Sequence, residues 1–433
     1  MEIDIIMNEN SIFLDYITGH YETSMDRALL AEKHPLWKRS CPDFTDNDFI
    51  RFGLLRGISP VDSGRHFLQL TEEVIGEFCP HSTYYKALQS PRRMNMLKAI
   101  EKQSYELHCE NMKLEGVDYL KQFLALDDYT VYAADGHFVD HACHTPKGSN
   151  GKVFAAGFIY AMNLKNGLLK PLCCVTNGTI KHQEIPVLRQ YIEQENNEKK
   201  KSVKHLYVYD KAATDYIWWN RQKNHQNYMI SVLKENSTAV LLKEISFDKK
   251  AEINIGVESY GTYKSQGVIF SVVKYRDPET GTLYEFVSTL PESIEPGIIA
   301  LLYYKRWTVE KAFNNNKSNL KEKKAWSSNM NSLNNEMRFT AMSYNIMRVF
   351  EEISKVQEPE KIHPSEKKYT EALNIRDKKA KKHGFFVNPF HYQERITRIS
   401  SYTIRAIQNS IVTGKSLVSL MSQLLGKLVP RMI

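Results

Sequence analysis

The chain is poor in the residues that staple a fold covalently or through a metal. Its six cysteines, at 41, 79, 109, 143, 173 and 174, form no C-x-x-C pair, which excludes the usual zinc-ribbon and thiol-redox patterns and predicts reduced, buried thiols. No run of about 18 apolar residues occurs, so a membrane-spanning helix is not expected. The opening MEIDIIMNENSIFLDYI lacks the basic start and apolar stretch of a secretory signal, and the expected location is the cytoplasm, with no membrane partner. Gly148-Ser149-Asn150-Gly151-Lys152 has the wrong spacing for a phosphate-binding loop, and no Ser or Thr follows the lysine. Tryptophan is scarce as well, at 37, 218, 219, 307 and 326 only.

What is present is ordinary in bulk. The 433 residues are 42% hydrophobic and 25% charged, a soluble composition long enough for about two or three domains. Lys and Arg number 58 against 50 Asp and Glu, a net charge of +8. That mild excess suits a polyanionic partner without requiring one. His137, Asp140, His141, Cys143 and His144 include zinc-type ligands, but they crowd one short stretch with no distant partner pair and read as a polar turn beside a strand.

One segment stands apart. In YYKRWTVEKAFNNNK, the residues Tyr303, Arg306, Glu310 and Lys317 follow the spacing Y-(2)-R-(3)-E-(6)-K. In a helix those offsets return all four side chains to one narrow face. Ile298, Leu301, Leu302, Val309 and Phe313 are expected on the other side as a buried stripe. Glu295-Pro296 marks the helix start, because proline is tolerated in the first turn. The competing reading is a solvated face with i,i+4 pairs.

Upstream, YTVYAADGH reads as a buried strand from Tyr129 to Ala134 that stops at Asp135-Gly136. KHLYVYDKAATDY reads as a second strand, Leu206 to Tyr209, ending in Asp210, with a helix following from Thr214. Singly, an aspartate at a strand end is more often a turn residue than a ligand.

Taken together, the Y-R-E-K helix and the preceding aspartates resemble the bacterial insertion-sequence DDE transposases of the cut-and-paste group. Those relatives carry an Asp-Gly at the first site and an Asp beside a basic residue at the second, as do Asp135-Gly136 and Asp210-Lys211. The resemblance implies an α/β catalytic core of RNase H-like type with a β-rich insertion, flanked by mainly helical terminal regions. It makes Asp135, Asp210 and Glu310 the catalytic metal ligands for Mg²⁺ or Mn²⁺, two ions per site. Arg306 would grip a phosphate, and Tyr303 and Lys317 would contact DNA at the transposon end. The implied partners are double-stranded DNA, both the element's terminal inverted repeats and the target, and a second copy of the chain. The chemistry suits these residue types: in-line displacement at phosphorus needs positioning and charge neutralisation, and hard oxygen ligands suit Mg²⁺ or Mn²⁺. Two rivals are an RNase H-like nuclease that only hydrolyses, and a domesticated transposase-derived DNA-binding protein.

The expected organisation is a helical region at 1–125, a catalytic domain at 126–326 with its insertion at about 238–290, and a helical, basic region at 327–433. In the first, Thr45 and Asp48 form a capping box, and Ser90-Pro91 opens a helix whose Arg92 and Arg93 are candidates for binding DNA. In the second, strands are expected at 157–164, 168–175 and 227–234, and a helix at 185–195. Some relatives stack a flipped base on a Trp of the insertion. This insertion has none, so any such role falls to a Tyr or Phe, with Tyr260, Tyr263 and Tyr284 as the large aromatics available to leave the core, or is absent. In the third, MRFTAMSYNIMRVFEEISK reads as an amphipathic helix, and KKYTEALNIRDKKAKKH as a DNA-contacting arm or a solvated linker before a helical unit near 412–428.

Overall fold

A computed structural model describes residues 44–391 except 60, 62, 76–77, 143–144, 146, 148–150, 154, 176–179, 199–202, 211–213, 236, 319–323 and 358–365. It also describes residues 23, 24, 26–28 and 409. The helical unit expected near 412–428 lies outside the described residues, as does Lys211.

Among the described residues, nine strands form a single sheet. They are β1 (Tyr129–Val139), β2 (Ala156–Asn163), β3 (Leu169–Val175), β4 (Lys204–Val208), β5 (Asn227–Val232), β6 (Val240–Glu244), β7 (Val257–Ser265), β8 (Val268–Arg276) and β9 (Leu283–Ser288), in the order β3-β2-β1-β4-β5-β9-β8-β7-β6. β1, β4 and β5 run parallel; every other neighbouring pair is antiparallel. Parallel neighbours need crossovers. Helices α5 (Ile180–Glu198) and α6 (Tyr216–Lys223) lie in the connections before β4 and before β5.

The β-rich insertion is therefore continuous with the core sheet. β9 pairs with β5 through Ile230–Ser288 and Val232–Phe286, so the chain leaves the core at one edge and returns to that same edge.

Alternation along the strands divides the core. Tyr132, Ala134, Tyr207 and Met229 pack on one face against Leu188 and Ile192 of α5 and Trp218 and Trp219 of α6. Val131, Ala133, Val139, Leu206, Val208 and Ile230 face the other way, into the cluster that holds helix α7 (Pro296–Ser318). Asp135 is in phase with Val131 and Ala133, so its side chain falls on the α7 face.

α7 starts hard against the insertion. A Cβ on Gly297 would lie 1.9 Å from the backbone oxygen of Ile253, and the Gly297 N–H donates to the Asn254 side chain at 2.9 Å. Only glycine fits this approach.

Helix α8 (Met330–Gln357) departs from the amphipathic reading, being buried all round from Ser332 to Val349 except at Asn334. It packs against β3 and against α1 (Asp46–Ile58), α3 (His81–Gln89) and α4 (Pro91–Leu114), with α2 (Gly64–Ile75) between α1 and α3 in the chain. Several of its polar residues bond to other elements. Asn345 donates to the Leu169 oxygen at 2.7 Å and accepts from the Leu169 N–H at 2.8 Å, Asn335 donates to the Leu88 oxygen at 2.8 Å, and Arg338 pairs with buried Glu101 at 2.9 Å. Regions drawn apart in sequence at 125 and 326 thus share one helical layer.

Candidate active site

Two of the three expected carboxylates meet across one guanidinium. Arg306 Nη1 lies 3.1 Å from Asp135 Oδ2, and Arg306 Nη2 lies 3.0 Å from Glu310 Oε1. Asp135 comes from the sheet, whereas Arg306 and Glu310 sit one turn apart on α7. The Gly136 N–H donates to Asp135 Oδ1 at 2.9 Å and fixes its rotamer.

β1 does not stop at Asp135. It continues to Val139 in antiparallel register with β2, where Asp135 faces Tyr160. What ends is the parallel ladder with β4, whose last pair is Ala133–Val208. Asp135 and Asp210 each lie two residues beyond that pair, at the carboxyl edge of the parallel strands, where ligand sites of α/β sheets collect.

Burial raises the Asp135 carboxyl above the usual range; Arg306 and the Gly136 N–H oppose the rise, and the charges of Glu310 and Asp210 add to it. Asp210 therefore belongs to the same electrostatic cluster. Burial also raises the Tyr303 phenol against the pull of Arg306. The Arg306 guanidinium loses solvation, but Tyr303, Asp135 and Glu310 more than restore its preference for the charged form.

The polar stripe of α7 borders the apolar stripe and does not oppose it. Arg306 is 6% exposed and Val309 fully buried. Phe313, seven residues on and nearly in phase with Arg306, packs edge-on against His137 of β1 at 4.7 Å. His137 is thus a core residue within β1 and not part of a polar turn. Lys317 lies within α7, and its side chain lies outside the described set.

Arg92 and Arg93 are a correction. Arg92 makes a bidentate pair with Asp46 at 2.7 and 2.6 Å. Arg93 donates to Asp46 at 3.0 Å and to the Phe44 oxygen at 2.6 Å, with its guanidinium over the rings of Phe44 and Phe49. Both were expected to meet a phosphate at a helix start. Asp46 lies in the first turn of α1 and captures them, so the anion they bind is internal.

Sequence spacing missed Lys305 and Lys311, which flank the signature positions on α7. Burial lowers the pKa of both, and Lys311 further lowers that of Lys305. It also missed Trp307, 53% exposed, with the Arg306 guanidinium 5.8 Å from its ring centroid. Both features stood inside the quoted segment but off its fixed gaps.

The hard oxygen set of Asp135, Asp210 and Glu310 fits Mg²⁺ or Mn²⁺ in kind. Among the described residues, no three His, Cys, Asp or Glu side chains are gathered tightly enough to hold an ion as they stand; Asp135 and Glu310 are turned onto Arg306. The described cysteines, Cys79, Cys109, Cys173 and Cys174, are free thiols, buried or half-buried. No helix among the described residues is long and apolar enough to cross a membrane.

No curated protein matches the chain. The family model described as the transposase DDE domain matches residues 126–346, just over half of it, from the residues before β1 into α8. With that match over the span that carries both aspartates and α7, the chain belongs to the transposase DDE domain family.

Proposed function

We propose that this protein is a DNA transposase with an RNase H-like core that binds the terminal inverted repeats of its own element, cleaves at the ends and transfers the freed 3′-hydroxyls to target DNA. The observation that carries the proposal is the convergence of Asp135 and Glu310 on Arg306, beside Asp210, at the carboxyl edge of the parallel strands. The strand order supports the core type, because β1, β4 and β5 run parallel and the β2–β3 hairpin extends from β1.

In this reading Asp135, Asp210 and Glu310 are the ligands of a pair of divalent ions, Mg²⁺ or Mn²⁺. When bound, the ions supply Lewis-acid activation of the attacking oxygen and charge stabilisation at the leaving one. The protein supplies position and charge. Gly136 holds the Asp135 carboxylate in one orientation, Arg306 brings a cation to the phosphate, and Tyr303 and Lys317 contact the backbone of the transposon end. Lys378, Lys379, Lys381 and Lys382 stay exposed at the end of helix α9 (Glu366–Lys381) and just beyond it, a ridge suited to more backbone contacts. Two protomers would pair the two ends, in the cytoplasm at the nucleoid.

Labelled element ends with Mg²⁺ test this directly. Asp135→Asn, Asp210→Asn and Glu310→Gln should each abolish strand cleavage and retain end binding. Full activity in any one of them removes that residue from the site. Cleavage without joining to target DNA would favour the purely hydrolytic nuclease.

A further inference from the structure

Arg306 holds two acids that the proposed chemistry needs for something else. Its side chain is 7% exposed, against 26% for Asp135 and 36% for Glu310, so the cation is the deepest member of the trio. One terminal nitrogen serves each carboxylate, and the buried Nε has no hydrogen-bond partner among the described residues. A guanidinium enclosed in this way is out of reach of a DNA phosphate. Equally, carboxylates turned onto it are not arranged around an ion. The route out is visible: the guanidinium lies over the rings of both Tyr303 and Trp307, at 5.5 and 5.8 Å, and Trp307 is more than half exposed. The side chain can therefore move toward solvent and keep a favourable ring face beneath its charge.

We propose that Arg306 couples loading of the carboxylates with divalent ions to capture of a DNA phosphate. In the free protein it is the counter-ion of Asp135 and Glu310. It leaves them when a divalent ion takes over that role, and a phosphate at the site draws it the same way. Each event then favours the other, because both need the guanidinium out of the carboxylate pair, and such coupling is reciprocal by thermodynamic linkage. Without DNA, the same contact keeps the carboxylates capped. This inference rests on reading Asp135, Asp210 and Glu310 as metal ligands, and it gives Arg306 a positioning role that a fixed phosphate clamp would not have.

The test is Mn²⁺ binding to the full chain, read by electron paramagnetic resonance, with and without a pre-cleaved end duplex. The duplex is copied from the DNA that flanks the coding sequence and ends in a 3′-dideoxy nucleotide, so that it cannot react. In the wild type the duplex should tighten Mn²⁺ binding by about tenfold, within the usual range of coupling factors. Arg306→Gln should bind Mn²⁺ about tenfold tighter than the wild type without DNA and gain little from the duplex. Arg306→Lys, which keeps the charge but not the two-pronged contact, should fall between them. Equal Mn²⁺ affinity of wild type and Arg306→Gln without DNA would overturn the coupling, as would the same duplex effect in both. If Arg306→Gln does not fold, the wild type alone decides, because absence of a duplex effect there also overturns it. Asp135→Asn is the separate control: if it binds Mn²⁺ as the wild type does, the ligand reading itself has failed.

Discussion

His391 lies against Tyr304 with ring centroids 4.8 Å apart and planes 19° from parallel, and this contact closes the segment after α9 onto the helix that carries Arg306 and Glu310. Tyr275 of β8 covers the imidazole as well, at 5.5 Å, with its hydroxyl 3.4 Å from Nδ1. The basic segment is therefore no free arm. Arg376 on α9 pairs with Glu279 at 2.5 Å, and Asn388 reaches the backbone of Ile253 and Ile255 beneath the start of α7.

This packing predicts a pH dependence. Burial pushes the His391 imidazole down to about 3, helped by the charges of Arg376 and Lys305. An unfolded histidine titrates near 6.5. The contribution of neutral His391 is thus complete above about pH 6.5 and is lost as the pH falls from there toward 3, with a slope of up to about 1.4 kcal/mol per pH unit. His391→Phe keeps the ring stack and removes the proton. Urea unfolding across the mildly acidic range should show a flatter decline in the variant, by about one proton's worth of slope. Equal slopes would mean that His391 does not carry the effect.

Local features were legible in the sequence, and long-range partners were not. The Thr45–Asp48 capping box is present in both directions, at 2.7 and 3.1 Å, and Ser90 caps α4 by accepting from the Arg93 N–H. These depend on a few adjacent residues. The strand expected at 157–164 is Ala156–Asn163, and that at 227–234 is Asn227–Val232. Helix α5 runs Ile180–Glu198, five residues earlier than expected, with Pro186 inside it. The burial of α8 escaped pattern reading because its Asn, Ser and Arg residues look like a solvent face until Leu88, Leu169 and Glu101 arrive as partners. Asp135 and Arg306, 171 positions apart, could be placed together only by resemblance. Nothing in the spacing alone says that the arginine would sit between the acids.

The capture of Arg92 and Arg93 by Asp46 makes a stability prediction in place of a DNA-binding one. Asp46 is 14% exposed and Arg93 8% exposed at the side chain, so Asp46→Ala removes the carboxylate that two guanidinium groups share at the junction of α1 and α4. It should cost about 3 kcal/mol, the lower end of the range for breaking a buried pair. Arg93→Ala should cost more than Arg92→Ala, because Arg93 also holds the Phe44 carbonyl and two aromatic faces. Denaturant unfolding measures these losses. Gel-shift titrations at several salt concentrations should show an unchanged slope for the folded Arg92→Ala protein. A slope shallower by roughly one counterion would return Arg92 to the DNA interface.

The three tyrosines considered for a flipped base are not equivalent. Tyr260 is 3% exposed and locked in the core. Tyr263 packs with the cluster on the far face, beside α6. Tyr284 is 37% exposed and lies flat against Phe286, which in turn packs on Tyr303 at 4.9 Å. An aromatic row thus leads from an open ring on β9 to the helix that carries Arg306. Of the three tyrosines, Tyr284 is the one best placed to hold a base during cleavage. Stacking on an aromatic is worth about 1–3 kcal/mol, so Tyr284→Ala should slow cleavage by about ten- to a hundredfold without unfolding the protein. Tyr263→Ala should leave the cleavage rate near the wild-type value, and Tyr260→Ala should show mainly as lost stability, at about 3–5 kcal/mol for a large aromatic removed from a core. An abasic nucleotide at the flipped position should partly rescue Tyr284→Ala, because the unstacking cost is already absent. Normal cleavage of intact DNA by Tyr284→Ala would remove Tyr284 from that role, and normal cleavage by all three variants would mean that no base is flipped or that it is held from elsewhere, with exposed Trp307, beside Arg306, as the next ring to substitute.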